Sequence, residues 1–251
     1  MVRYVVKYIY MTTLDLIKNQ ADHPHIAASV SDRELELIDS AVLKAIDLIE
    51  LRIDHFTSIS TGHIAGVIRK ARSLNRHLIC TVRSPDEGGR ISISDEERLE
   101  IFGVAAPLVD IIDIEASSAI FRDVLDIVNK NNKILIASVH NFNCTPPYRE
   151  MEEMIRFNKA RGAHIVKIAT MPQRREDILE MTRLTVMHHR DNIVTISMGQ
   201  MGMITRLFFP FIGSLFTFAS VGSTKAPGQI DAIRLREIME IFSSQKLHLH
   251  P

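Results

Sequence analysis

Short apolar runs alternate with longer amphipathic ones along nearly the whole chain. The runs at 26–31, 47–53, 77–83, 109–115, 133–140, 164–170, 193–198 and 214–219 are rich in Ile, Val and Leu, which predicts buried strands. The segments between them carry apolar residues at helical spacing. Leu35, Leu37, Ile38 and Val42 predict a helix over 33–45. The same pattern predicts helices over 62–74, 119–130, 149–161, 176–188 and 229–242, with a shorter one after Gly202. Ser94-Asp95-Glu96-Glu97 is a capping box, in which the Ser hydroxyl and the last Glu carboxylate satisfy each other's free backbone N–H groups, so another helix starts there.

Strands that alternate with helices predict a parallel sheet covered by helices. Eight such units in 251 residues favour a closed (β/α)8 TIM barrel over an open sheet. No Gly-x-Gly-x-x-Gly follows the first strand, and no Gly-rich loop ends in Lys-Ser/Thr, which argues against a nucleotide-binding open sheet. No low-complexity linker divides the chain, so 1–251 reads as one domain. Residues 1–20 precede the barrel as a short N-terminal extension, a hairpin or helix able to cap its bottom.

Composition acts mainly by exclusion. Thirty basic residues balance thirty acidic ones, so no global charge recruits nucleic acid or an anionic membrane. The uncharged run 207–224 is short for a membrane span and contains Pro210 and Gly213; it predicts a helix, a turn and a buried strand. Arg3 and Lys7 interrupt the apolar N-terminus, which lacks the features of a signal peptide. Cys80 and Cys144 form no disulfide framework and fit a reducing, cytoplasmic setting. His188-His189 and His23-x-His25 lack metal-ligand spacing, so no metal site is expected.

The chemistry concentrates at strand ends, where barrels of this kind build their active sites. Lys167 lies inside the buried run at 164–170. Burying an ammonium is costly, whereas an amine that sheds its proton can attack a carbonyl. Glu50 and Arg52 sit two apart on the second strand and share a face. Arg83 ends the third strand, before the Gly-rich loop that carries Glu87. His140 ends the fifth strand. Arg206 follows the seventh, and Lys225 to Gln229 follow the eighth. Each has a plain structural reading by itself, as an internal ion pair, a rim charge or a loop residue. Together they ring one mouth with polar groups, which points to a small-molecule site.

These residues stand in motifs that resemble one family. The motifs are Glu50-Leu51-Arg52-Ile53-Asp54, Arg83-Ser84 with Glu87-Gly88-Gly89, Ser138-Val139-His140-Asn141, Val166-Lys167-Ile168-Ala169, Met198-Gly199 with Arg206, and Ala226-Pro227-Gly228-Gln229. In that order they resemble the type I 3-dehydroquinate dehydratases, over about 26–242. The resemblance implies a cofactor-free (β/α)8 enzyme, often a homodimer. Its reaction is the dehydration of 3-dehydroquinate to 3-dehydroshikimate in the shikimate pathway. Lys167 then matches the Schiff-base lysine, His140 the general acid/base, and Glu87 the carboxylate that pairs with it. Ser29, Glu50, Arg52, Arg83, Arg206 and Gln229 match substrate-binding positions, with the arginine at the Arg206 position holding the substrate carboxylate. The family often has Ser or Thr four residues before the Gln of the last motif. Here that position is Lys225, preceded by Thr224. Either the loop is shifted by one residue or a lysine contacts the substrate.

The substrate is a β-hydroxy ketone, and an iminium is a better electron sink than a ketone for removal of the adjacent proton. A free lysine titrates near about 10.4, so the neutral amine must be favoured by roughly 4–5 kcal/mol at neutral pH. Burial among Ile165, Val166 and Ile168 and cations at Arg52, Arg83 or Arg206 are the expected sources. A class I aldolase-like lyase would share the lysine but usually grips a phosphate, and no phosphate loop follows the seventh or eighth strand. A non-catalytic binding barrel would have no need of the Lys167/His140 pair. Gly222 and Gly228 would permit 221–229 to act as a lid.

Overall fold

The computed structural model describes residues 23–243 together with 14, 15, 17 and 18. Its strands are β1 (His25–Val30), β2 (Leu48–Arg52), β3 (His77–Thr81), β4 (Ile111–Glu115), β5 (Ile134–Asn141), β6 (Ile165–Thr170), β7 (Ile193–Ser197) and β8 (Phe216–Ser220). All are parallel, in the spatial order β7-β6-β5-β4-β3-β2-β1-β8. β7 and β8 share no ladder, and the Leu215 N–H donates to the Ile193 carbonyl (2.9 Å) to draw that seam together. The helices are α1 (Ser40–Ala45), α2 (Thr61–Arg72), α3 (Asp95–Ala105), α4 (Phe121–Lys130), α5 (Tyr148–Ala160), α6 (Arg175–Met187), α7 (Gly199–Ile212) and α8 (Ala232–Ser243). The expected (β/α)8 barrel is therefore the architecture found.

The two-residue period of each strand sorts its side chains into two cores. Ile49, Leu51, Leu78, Cys80, Ile112, Ile114, Leu135, Val166 and Ile168 point outward and pack under the helices. Leu48, Ile79, Ile111, Ile134, Ile136, Ile165 and Val194 fill the barrel interior. Ile17 joins that interior cluster and Leu14 packs against it. Most of the N-terminal extension lies outside the described residues. Farther along the same inward faces the residues turn polar: Ser29, Glu50, Arg52, Thr81, Asp113, Glu115, Ser138 and Lys167, all buried. The barrel is thus dry at one end and charged at the other.

Two local expectations are corrected. The helix expected over 33–45 is a 3₁₀ turn (Glu34–Leu37) followed by α1. Asp39 breaks it by accepting the backbone N–H groups of Ala41 and Val42 (both 2.9 Å), which starts a new helix. The helix expected after Gly202 begins earlier, at Gly199, and contains Pro210. Gly199 sits at φ +72°, and Gly213 (φ +137°) ends the helix before β8. The Ser94 capping box is present as expected. Among the described residues, no helix is long and apolar enough to cross a membrane.

Candidate active site

All ten sequence-predicted site residues line one cavity of about 470 Å³, its open mouth included. Lys167 enters it from β6, with only 4% of its surface exposed. Its Nζ lies 3.1 Å from Asp113 Oδ2 and 3.8 Å from Glu50 Oε1. The Phe218 ring sits under the amine, 4.1 Å from its centroid. Glu50 is itself fixed by hydroxyl donors, from Ser29 (2.5 Å) and Thr81 (2.9 Å).

Two of the cations expected around the amine, Arg52 and Arg83, are tied to carboxylates. Arg52 grips Asp54 with two hydrogen bonds (2.9 and 2.7 Å). Arg83 donates to Asp113 (2.6 Å), Glu115 (2.8 Å) and the Ser138 hydroxyl (2.8 Å), and that hydroxyl donates to Asp113 (2.7 Å). Glu115 also takes Arg98 and the Ser84 backbone N–H. Burial alone would raise the Asp113 carboxyl, but Arg83 and Lys167 outweigh it and hold it well below the usual carboxylate range. The charges nearest Lys167 therefore include two carboxylates, one of them firmly ionised.

His140 and Glu87 form a second unit. Glu87 Oε2 accepts both the His140 backbone N–H (3.0 Å) and Nδ1 (2.9 Å). The turn at Pro85–Glu87 leads into Gly88 (φ +85°) and Gly89. A Cβ on Gly89 would lie 2.0 Å from the Arg83 carbonyl oxygen, so only glycine lets the loop fold back to bring Glu87 to His140. Burial pushes the Glu87 carboxyl up to about 7, against the pull of Arg83. Burial, with Arg83 and Lys167 adding to it, pushes His140 well below its ordinary value. The imidazole is therefore neutral at pH 7.

Arg206 differs from the other arginines. It is 1% exposed and donates only to backbone carbonyls, at Phe218 (3.2 Å) and Pro227 (3.0 Å). Among the described residues its Nε has no hydrogen-bond partner. Burial lowers it to about 10, so it remains a cation at neutral pH without a neutralising carboxylate. An anionic ligand would supply what the protein withholds.

Gln229 accepts the backbone N–H groups of Lys225 (2.6 Å) and Ala226 (3.2 Å) and donates to Ser29 (3.3 Å). Lys225 lines the cavity, but its amine bonds to Glu34 and to the Ser223 hydroxyl (2.7 Å). Sequence reasoning missed Asp113, Glu115 and Phe218. The first two carried a signal: Ile111-Ile112-Asp113-Ile114-Glu115 alternates as Glu50 and Arg52 do. Among the described residues, no three His, Cys, Asp or Glu side chains are grouped to hold a metal ion.

Fold and site together define a (β/α)8 barrel with a buried amine, an imidazole–carboxylate pair and a buried arginine at one mouth. Residues 25–246 match the type I 3-dehydroquinase family. The chain belongs to that family. It is 39% identical over 222 residues to a 3-dehydroquinate dehydratase of Thermodesulfovibrio yellowstonii, covering 87% of this chain and 94% of the relative. It is 34% identical over 246 residues to that of Methanosarcina barkeri, covering 93% and 99%. Among solved structures, the type I enzyme of Clostridium difficile superposes with a TM-score of 0.80 at 29% identity, covering 89% of this chain and 94% of that one. The Aquifex aeolicus enzyme gives 0.74 at 32%, covering 87% and 98%.

Proposed function

We propose that this chain dehydrates 3-dehydroquinate to 3-dehydroshikimate through an imine on Lys167, a step of the shikimate pathway of aromatic amino acid biosynthesis. The observation that carries the reading is Lys167 in the cavity that also holds the His140–Glu87 pair and the uncompensated Arg206. The C. difficile relative was solved with covalent modified comenic acid, which supports a covalent route.

Lys167 Nζ gives up a proton and attacks the ketone carbon, and that proton leaves with the departing carbonyl oxygen as one water, which leaves a protonated imine. Arg206 holds the substrate carboxylate and fixes the ring. The free Nε2 of His140 takes the proton beside the imine carbon, and the C–H electrons move onto the imine nitrogen as an enamine. Glu87 stabilises the imidazolium so formed. The enamine then expels the β-hydroxyl, which leaves as water with the proton that His140 returns. Water hydrolyses the conjugated imine, which frees the enone product and Lys167. The net change is the loss of one water, and no cofactor is consumed. Ser29, Glu50, Arg52, Arg83 and Gln229 shape the pocket around the ring. Arg83 also acts through Asp113, holding the carboxylate that positions the amine.

The test is borohydride treatment with substrate, read by mass, together with the absorbance of the enone. Wild type should form a stable adduct and turn over. Lys167→Ala should do neither, and full activity in that variant would sink the assignment. His140→Ala should still be trapped but eliminate very slowly.

The same reading extends to assembly and setting. The exposed face of α7 presents Met201, Ile204, Phe208 and Phe211 at 3-4-3 spacing, and Phe211 meets Phe242 at 6.3 Å between ring centroids. The only charge on that helix, Arg206, is buried. An uncharged, self-complementary stripe suits a second copy of this chain, and Phe208→Glu should convert a dimer to a monomer in light scattering. Two free cysteines, one buried and one exposed, fit a reducing cytoplasm.

A further inference from the structure

The β8–α8 loop is tied to the neighbouring turn after β1 by Lys225. Glu34, in the 3₁₀ turn after β1, is 8% exposed. One of its oxygens accepts the backbone N–H (2.9 Å) and hydroxyl (2.8 Å) of Ser31, which fixes the carboxylate. The other accepts the Ser223 backbone N–H (3.3 Å), the Ser223 hydroxyl and the Lys225 amine. The Lys225 side chain is 4% exposed in this arrangement. Gly222 (φ +73°) lets the loop come down on Leu37, where a Cβ would lie 2.9 Å from Leu37 Cδ1. Beyond Lys225 the chain wraps Gln229, whose amide oxygen takes the Lys225 and Ala226 N–H groups. The Pro227 carbonyl meets Gly199 N–H (3.2 Å) and Arg206 (3.0 Å).

We propose that Glu34 and Lys225 form a latch that holds the β8–α8 loop over the cavity before any ligand arrives. Lys225 is then a positioning residue that acts through Gln229 and Pro227, not a substrate contact. The charged bridge needs a long cationic side chain at this position, which Lys225 supplies. Burial would raise the Glu34 carboxyl, but Lys225 and Ser223 outweigh it and hold it down at about 2, so Glu34 stays a carboxylate across the neutral range. Because the pair is shielded from water, salt screens it less than a surface pair. The functional half of the proposal rests on the cavity being the substrate site; the structural half does not.

The experiment compares wild type with Lys225→Met, Glu34→Gln, the double variant and Lys225→Arg. Hydrogen exchange of residues 221–229 is measured in the ligand-free chain, and KM and kcat are measured with 3-dehydroquinate. Loss of a hydrogen bond to a charged group should speed loop exchange by about tenfold or more in both single variants. KM should rise by a similar factor, with kcat within about twofold. The double variant should be no worse than either single one, and Lys225→Arg should stay near wild type. Unchanged loop exchange in both Lys225→Met and Glu34→Gln would overturn the latch. So would a KM that rises in Lys225→Met but not in Glu34→Gln, because Lys225 would then touch the substrate itself. If wild type does not turn over 3-dehydroquinate, the proposed activity fails, and exchange alone still decides the latch.

Discussion

Replacing Glu87 by Gln isolates the proton-transfer unit, because it removes a charge while keeping an oxygen able to accept from His140. In the folded chain one carboxylate oxygen lies 2.9 Å from Nδ1. When Nε2 takes the substrate proton, the imidazolium and the carboxylate become opposite charges about 4 Å apart. At an effective dielectric of about 20 that attraction is about 4 kcal/mol. Both side chains keep some contact with the mouth, 11% for His140 and 13% for Glu87, so solvent removes part of it. A loss of about 2–3 kcal/mol in the transition state corresponds to a fall in kcat of roughly 30- to 150-fold. The enone absorbance gives kcat, and borohydride trapping reports the imine separately. The pH profile gives a second reading. Burial raises Glu87 to about 7, so below that pH it is protonated and gives the imidazolium no charge to rest against. Wild-type kcat should therefore rise as pH climbs through about 7, and Glu87→Gln should lack that rise. A variant within threefold of wild-type kcat, or one that has lost trapping while eliminating normally, would refute the pairing.

Other predictions follow from the same contacts. Arg206→Met removes a buried cation that has no carboxylate partner among the described residues, so KM should rise by about 30-fold or more with trapping at saturating substrate retained; an unchanged KM would remove Arg206 from the site. Asp47, held to about 2 by its hydrogen bond to His25 and by Arg236 against the opposing pull of burial, binds fewer protons folded than unfolded. Its contribution to stability is present above about pH 4 and lost as pH falls toward 2. Thermal unfolding should show Asp47→Asn less stable than wild type at pH 7 and equal to it near pH 2; parallel curves would contradict the assignment.

The barrel was legible because a two-residue period and a helical period are local signals, and each unit repeats them. The mouth was legible because strand ends are where such barrels place polar groups, and every residue picked there lines the cavity. What escaped depends on partners far along the chain. Asp113 matters through Arg83 and Lys167, 30 and 54 residues away. Lys225 faced two readings as a substrate contact or a loop shift, and its partner Glu34 lies 191 residues back. The break at Asp39 escaped because apolar spacing outvoted a cap, and the early start of α7 because its first residue relies on the left-handed backbone of Gly199.

The strand order has a consequence for how this molecule comes to be. β8 lies beside β1, so the last strand to appear in the chain is the neighbour of the first. Gln229 meets Ser29 across a separation of 200 residues, and Arg236 reaches the Pro24 carbonyl across 212. Such contacts cost the most chain entropy to close and form late. Seven strands can be laid side by side with Lys167 and His140 already in place, yet the wall that holds Gln229 and the Pro227 carbonyl is still missing. The amine is in that sense in place before the vessel is sealed, and the final strand decides when Lys167 first meets an enclosed pocket rather than open water.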